Sequence, residues 1–259
     1  MSAAGRRVEF ARGFLLHQRP WRDSSLILEL FSAEHGRLCA FARAARGPRT
    51  RFSGLQPFRP LLLSWSGRGE APTLTGAESD GVAPASLPPQ SLLSAWYLNE
   101  LLLKLTVPHD PQPELYEQYA ATLERLRAGD ALEIALREFE LRLLELLGFG
   151  VELDRESGSG RAVRADAYYH FTPGAGVQLA GSDAPGGQIR GQTRIETRGE
   201  ALSGQLLLML AAGEIPQDAA GQRAARGLLR AALDHCLEGR ELRSRTVARA
   251  VARMRGVDA

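Results

Sequence analysis

The hydrophobic pattern changes period near Gly81, and that change constrains the fold more than any other feature of the chain. Before it lie short apolar runs separated by turn residues. Gly13-Phe14-Leu15-Leu16-His17 closes at Arg19-Pro20, and Ser25-Leu26-Ile27-Leu28-Glu29-Leu30-Phe31 follows. Glu34-His35-Gly36 then offers a turn into Arg37-Leu38-Cys39-Ala40-Phe41-Ala42-Arg43, the pattern of a hairpin. Phe58-Arg59-Pro60-Leu61-Leu62-Leu63-Ser64-Trp65 is another strand candidate, which Pro60 assigns to an edge or to a later start. Gly67-Arg68-Gly69-Glu70 turns into Thr73-Leu74-Thr75. Five short strands in about 80 residues predict a small barrel or sandwich.

Pro84, Pro88 and Pro89 mark the boundary, and beyond them the spacing is helical. Ser91 is placed to cap a helix through Trp96, Leu98, Leu101, Leu102 and Leu105. Pro113 suits the first turn of a second helix through Leu115, Tyr119, Leu123 and Leu126. Asp130 is a candidate cap for a third, through Leu136, Phe139, Leu143 and Leu147, with Gly148 as its terminating glycine. From Phe149 to about Gly191, Gly, Ser, Asp and Pro dominate around one β-like run, Ala167-Tyr168-Tyr169-His170-Phe171. Helical spacing returns at 201–212, 218–237 and 244–254. The predicted class is α+β: an N-terminal β domain over 1–80, then a helical domain over 81–259 with a small irregular β insertion at about 150–190.

Charge is unevenly placed on this frame. Of 32 basic residues all but Lys104 are Arg, and the net charge is only +2. Residues 1–60 nevertheless hold eleven Arg against four acids, 114–156 hold eleven acids against five Arg, and 222–259 hold nine Arg against four acids. Such asymmetry points to a polyanion partner on a basic lobe. Arg suits phosphate because its planar fork donates two parallel hydrogen bonds. No apolar run approaches the roughly 20 residues of a membrane helix, and no signal peptide is visible behind the polar N-terminus. Cys39 and Cys236 form no disulfide framework and no CxxC, which predicts a reducing cytoplasm and no structural zinc.

Signals for catalysis are weak. His17, His35, His109, His170 and His235 are scattered without an HExxH, no GxxxxGK[ST] exists, and no GxSxG elbow supports a serine nucleophile. Neither a catalytic set nor a cofactor is predicted. The strongest site candidate is the basic loop Arg43-Ala44-Ala45-Arg46-Gly47-Pro48-Arg49-Thr50-Arg51-Phe52. Its four Arg, with Arg37 on the adjoining strand, read as a phosphate clamp or as a solvated loop kept soluble by charge. As a clamp, five neutralised phosphates give a log–log salt slope near about −3.5 on single strands. Among the interleaved aromatics, Phe31, Phe41 and Phe58 are expected in the barrel core. Phe52 and Trp21 stay open between core and base stacking. A second basic patch gathers Arg243, Arg245, Arg249 and Arg253, the last three sharing one helical face, for DNA, for an acidic surface or for solvent.

The stretches Gly13-Phe14-Leu15-Leu16-His17-Gln18-Arg19-Pro20-Trp21, Ser24-Ser25-Leu26-Ile27-Leu28 and Leu55-Gln56-Pro57-Phe58 resemble the RecO family of recombination mediators. Tyr97-Leu98-Asn99-Glu100-Leu101-Leu102, Arg137-Glu138-Phe139-Glu140 and Leu147-Gly148-Phe149-Gly150 resemble the helical part of the same family, so the similarity runs from about residue 8 to 250. It implies a five-stranded OB barrel followed by an all-α domain with an insertion. It also implies binding of single- and double-stranded DNA, annealing of complementary strands, and loading of recombinase onto strands coated with single-strand-binding protein. The implied partners are the acidic C-terminal tail of that protein and RecR, and the implied place is the cytoplasm, at the bacterial nucleoid. Many members hold zinc through four cysteines in the insertion, but Val151–Gly187 here has no Cys, as in the metal-free proteobacterial branch. On the third helix, Arg137 and Arg142 either flank a groove for that tail or pair with Glu133, Glu138 or Glu145. Two other functions keep the same residues: an RNA-binding OB protein with a helical interaction domain, and a hydrolase built on the acidic segment 114–156.

Overall fold

The computed structural model describes residues 6–46, 50, 52, 54–67, 69–82, 84–129, 131–150, 152–180 and 201–254. Two compact units emerge, one from Met1–Leu132 with Arg240–Ala259, the other from Glu133–Gly239. Element type changes where the sequence pattern changes, but the first unit carries on past that point to take in two helices and the last one.

In the first unit β1 (Arg6–Trp21), β2 (Ser25–Ser32), β3 (Gly36–Ala42), β4 (Leu61–Gly67) and β5 (Thr73–Ser79) close a barrel in the order β1-β2-β3-β5-β4. Neighbours are antiparallel except β3 and β5, which meet in parallel at Phe41 and Thr73. This is the closed five-stranded order of an OB barrel. β1 is far longer than the apolar run suggests, because it serves two partners: β4 over Arg6–Gly13 and β2 over Gly13–Trp21. The strand hands over at Gly13, where a Cβ would lie 2.5 Å from Leu63 Cδ1 and 3.1 Å from the Phe31 carbonyl oxygen. Only a residue without a side chain lets three strands approach there. Pro20 is tolerated because that end of β1 pairs on one side only. β4 starts just after Pro60.

Leu15, Leu28, Leu30, Leu38, Leu61, Leu63, Trp65 and Leu74 fill the barrel. The outer wall is largely apolar too, which is why β2 carries apolar residues on both faces, broken only at Glu29, instead of alternating. Phe14 and Phe31 point outward into a seam with Tyr116 and Tyr119 on α2 (Pro113–Ala128), at ring separations of 5.0 Å for Phe14–Tyr119 and 5.9 Å for Phe31–Tyr116. Phe58 meets Trp96 of α1 (Pro89–Leu105) edge to face at 4.9 Å. Phe31 and Phe58 are therefore buried as expected, but between barrel and helices. Phe41 is half-buried on the outer wall.

Polar bonds lock the same seam. Asn99 of α1, fully buried, donates from Nδ2 to the Leu16 carbonyl of β1 at 2.8 Å and accepts from the Tyr119 hydroxyl at 2.5 Å. Arg127 donates to the carbonyls of Ala85 and Phe58. Ser91 does not cap α1. Pro89 opens that helix, and the buried Ser91 hydroxyl donates to the Leu126 carbonyl of α2 at 2.8 Å. The β2–β3 turn has Gly36 at φ 66°, where a Cβ would overlap the Asp110 carbonyl oxygen at 2.1 Å. The last helix, α6 (Arg243–Met254), is held at its N-terminus by Glu100 of α1. That carboxylate accepts from the backbone of Arg243 at 2.8 Å and Ser244 at 2.9 Å, and from the Ser244 hydroxyl at 2.7 Å. Burial pushes the Glu100 carboxyl up, but the Ser244 and Arg243 bonds and the Lys104 charge outweigh it and hold the group below its ordinary range.

The second unit holds α3 (Leu132–Leu146), the insertion, α4 (Gly204–Ala211) and α5 (Ala219–Leu237). Gly148 ends α3 at φ 77°, while Asp130, the expected cap, lies outside the described residues. Ser203 and Asp218 cap α4 and α5 by accepting from the amides of Leu206 and Gly221. The insertion is a small antiparallel sheet, β7 (Gly176–Leu179), β6 (Tyr168–Thr172) and β8 (Leu202–Ser203) in that order, packed on buried Leu153, Val163, Tyr169 and Val177. Its leading turn is tied by hydrogen bonds: Ser159 donates to Glu156 at 2.7 Å, and the Glu156 amide to the Arg161 carbonyl at 2.8 Å. Among the described residues no cluster of His, Cys, Asp or Glu is placed to hold a metal ion.

Candidate nucleic-acid interface

The outer wall of the barrel has one end where the turn between β1 and β2 meets the exit from β3. Register puts Trp21 opposite Ser25 and Leu26 opposite Ala42, so the ends of three strands lie side by side. The amide of Arg46 donates to the Ser24 carbonyl at 2.9 Å, and its guanidinium to the Arg22 carbonyl at 3.4 Å, which ties the start of the basic loop to that turn. The β4–β5 connection arrives at the same place, since the Phe41 amide donates to the Pro72 carbonyl at 2.8 Å.

Arg19, Arg22, Arg43 and Arg46 are exposed there, and none pairs with an acid among the described residues. Trp21 is 44% exposed, with its ring 6.2 Å from that of Phe41. The end therefore combines unneutralised guanidinium groups with a solvent-facing indole, the chemistry that grips phosphates and stacks bases. Arg19 and Arg22 are absent from the clamp read in the sequence. The signal for them is the hairpin itself, since a tight turn beside the exit of β3 gathers whatever it carries with Arg43. Cys39 lies on the same wall. Burial pushes its thiol up, the Glu29 charge adds to this, and Arg19 and Arg37 only partly offset it.

Several expected site residues sit elsewhere. Arg37 is consumed internally: it donates to Glu29 at 3.1 Å, to the Thr106 hydroxyl at 3.2 Å and to the Thr106 carbonyl at 3.1 Å. It braces β3 to the end of α1 and leaves the clamp, because an acid, Glu29, lies diagonally across the ladder and its fork reaches a helix terminus. Phe52 is 4% exposed and belongs to the barrel core, so it is no stacking platform. Its place in a polar loop hides that it plugs the barrel. Arg49 and Arg51 lie outside the described residues.

On α3 the two arginines pair along their own helix. Arg137 is buried and donates to Glu140 at 2.6 Å, an acid absent from the sequence alternatives, while Arg142 donates to Glu145 at 2.6 Å. Arg137 is thus engaged within its own helix. In the C-terminal patch Arg245 lies over the Tyr97 ring at 5.5 Å and donates to its hydroxyl. Arg243, Arg249 and Arg253 stay exposed on α6, with the Arg253 fork bonded only to the Arg249 carbonyl among the described residues. No helix among these residues is long and apolar enough to cross a membrane.

Two family models match this chain. Residues 9–80 match the family model Recombination protein O N terminal, and residues 89–246 match Recombination protein O C terminal. Curated relatives named DNA repair protein RecO include one from Methylococcus capsulatus, 42% identical over 94% of this chain and 94% of that protein. The one from Azoarcus sp. is 43% identical over 95% and 97%. The one from Alkalilimnicola ehrlichii is 42% identical over 96% and 94%.

Proposed function

Because this chain belongs to the RecO family, we propose that it acts in DNA repair and recombination as a non-enzymatic mediator that binds single- and double-stranded DNA, anneals complementary strands and helps load recombinase onto strands coated with single-strand-binding protein. One observation carries the reading: Arg19, Arg22, Arg43 and Arg46 gather, exposed and with no acid partner among the described residues, beside Trp21 at one end of an OB barrel. Guanidinium groups so placed neutralise backbone phosphates of any sequence, which lowers the repulsion between two strands. Trp21 offers a face to unpaired bases. The exposed α6 arginines, Arg243, Arg249 and Arg253, supply a second cationic surface for the other strand. The basic residues 49 and 51 extend the clamp in sequence. The acidic tail of single-strand-binding protein and RecR are the proposed protein partners, and the cytoplasmic nucleoid the proposed place of action.

The test is annealing of complementary oligonucleotides by a variant with Arg22, Arg43 and Arg46 changed to Glu. Annealing is expected to vanish while far-ultraviolet circular dichroism stays that of the parent. Retained annealing rejects this end of the barrel as the main contact. Matched RNA in competition separates a DNA mediator from an RNA-binding OB protein: equal or better competition favours the latter.

A further inference from the structure

Away from the barrel's cationic end, α1 and α6 pack on each other and leave apolar side chains in solvent. Hydrogen bonds record how the two helices run. Arg240 donates to the Lys104 carbonyl at 2.5 Å, the Arg243 amide to Glu100 at 2.8 Å, and Arg245 to the Tyr97 hydroxyl at 3.3 Å. The partners step back along α1 as α6 advances, so the helices are antiparallel and the far half of α6 lies beside the first turns of α1. Leu92 and Trp96, four apart on those turns, are each 40% exposed, and on α6 Val247 is 48% and Met254 87% exposed. Val247, Val251 and Met254 stand at i, i+4 and i+7, on one helical face. We propose that this pair of helices docks an acidic amphipathic segment of another protein, its apolar side on Trp96 and the Val247 stripe, its carboxylates on the arginines of α6.

Charge selects that occupant. From Leu242 to Gly256 the chain has five Arg and no acid. The one acid of α1, Glu100, is spent on the first amides of α6. Arg243, Arg249 and Arg253 are exposed and pair with no acid among the described residues. A second copy meeting through the same face would set these arginines against each other, because a two-fold interface repeats one patch on both partners. A membrane surface asks for Trp, Phe or Leu along the basic helix itself, whereas the stripe of α6 is two Val and a Met. The second DNA strand given above to these arginines accounts for the charge and not for the apolar side chains beside it. A protein segment uses both. The i, i+4, i+7 spacing is that of helix anchors in peptide recognition, and Trp and Arg are the side chains on which interface energy concentrates. The three bonds to Glu100 fix the start of α6, so the face is presented in one orientation and little order is lost on docking. Docking here does not require the barrel clamp, and it competes with the second strand for Arg249 and Arg253.

The experiment uses the full chain and a labelled synthetic helix with Leu and Phe at i, i+3, i+4 and i+7 and Glu on its other faces. Its binding is read by anisotropy beside three further probes: the same residues scrambled so that no apolar face forms, polyglutamate, and vesicles of phosphatidylglycerol. The parent is expected to bind the amphipathic helix at least about tenfold more tightly than the scrambled peptide or polyglutamate, and to stay in solution when the vesicles are pelleted. Leu92→Gln, Val247→Thr and Met254→Gln together should abolish that preference. These swaps are neutral and close in size at solvent-facing positions, and an unchanged melting temperature and unchanged duplex binding verify the fold. Arg249→Gln with Arg253→Gln should weaken the amphipathic helix several-fold and flatten its salt dependence. Equal binding of amphipathic and scrambled peptides by the parent overturns the proposal, and so does a folded triple variant that keeps the parent's preference. A parent that pellets with the vesicles and ignores the peptide gives the face to a membrane. A parent that dimerises through the three substituted side chains and ignores the peptide gives it to a second copy. Either result also overturns the proposal.

Discussion

Two arginines that the sequence places in one clamp should respond oppositely to the same substitution. Arg43 is exposed with no acid partner among the described residues, whereas Arg37 holds Glu29 and both oxygens of Thr106. Each phosphate neutralised on single-stranded DNA contributes about −0.7 to the slope of log affinity against log salt. Arg19, Arg22, Arg43 and Arg46 together then contribute about −2.8, an affinity loss of about 50-fold between 50 and 200 mM salt. Arg43→Gln should make the slope shallower by about 0.7 and leave the melting temperature alone. Arg37→Gln should leave the slope unchanged and cost about 2 kcal/mol of stability, because Glu29 and the Thr106 carbonyl lose charge-assisted donors in a half-buried site. Anisotropy titrations across a salt series and urea denaturation measure the two quantities. A slope change on Arg37→Gln equal to that on Arg43→Gln would refute the reasoning, since it would mean the brace opens to meet DNA.

Other consequences are equally direct. Asn99→Leu should cost about 2–3 kcal/mol, because it strands the Leu16 carbonyl and the Tyr119 hydroxyl in the seam. In a double-mutant cycle with Tyr119→Phe the losses should fall short of additivity, and full additivity would deny the network. Glu100 makes its contribution as a carboxylate whose folded pKa is lowered. Its stabilisation of α6 is therefore complete above the unfolded value of about 4.3 and is lost as pH falls through the folded value. Protease cleavage within Arg243–Met254 should accelerate on acidification in the parent, and in Glu100→Gln it should be fast already at neutral pH. Gly36→Ala should destabilise the β2–β3 turn strongly, since the new methyl meets the Asp110 backbone and the φ of 66° is strained for Ala. An unchanged melting temperature would contradict the turn geometry.

Much of the architecture is legible in the residues because periodicity follows directly from burial. The helices appear where apolar spacing is three and four, and the barrel where short apolar runs alternate with turns. Legibility ends where one residue answers to two neighbours. β1 exceeds its apolar core because its flanks pair with different strands, and β2 hides its alternation because both of its faces are covered. The site divides along the same line. Arg43 and Arg46 stand out as a basic run, but the sequence cannot show that Glu29 claims Arg37, since the two meet across a ladder. Nor does it show that Glu140 claims Arg137, or that Phe52 turns inward from a polar loop. Arg19 and Arg22 carry no local signal at all; the hairpin supplies their significance.

The bond from Glu100 to the amide of Arg243 joins residues 143 positions apart. During synthesis, therefore, the ribosome releases the barrel and α1 well before the helix that completes their unit. Until then the carboxylate of Glu100 and the ring of Tyr97 face water. Closing that span carries an entropy cost that, for a flexible loop, grows only with the logarithm of its length. Nascent-chain folding should accordingly finish in two stages, with the N-terminal unit sealed last.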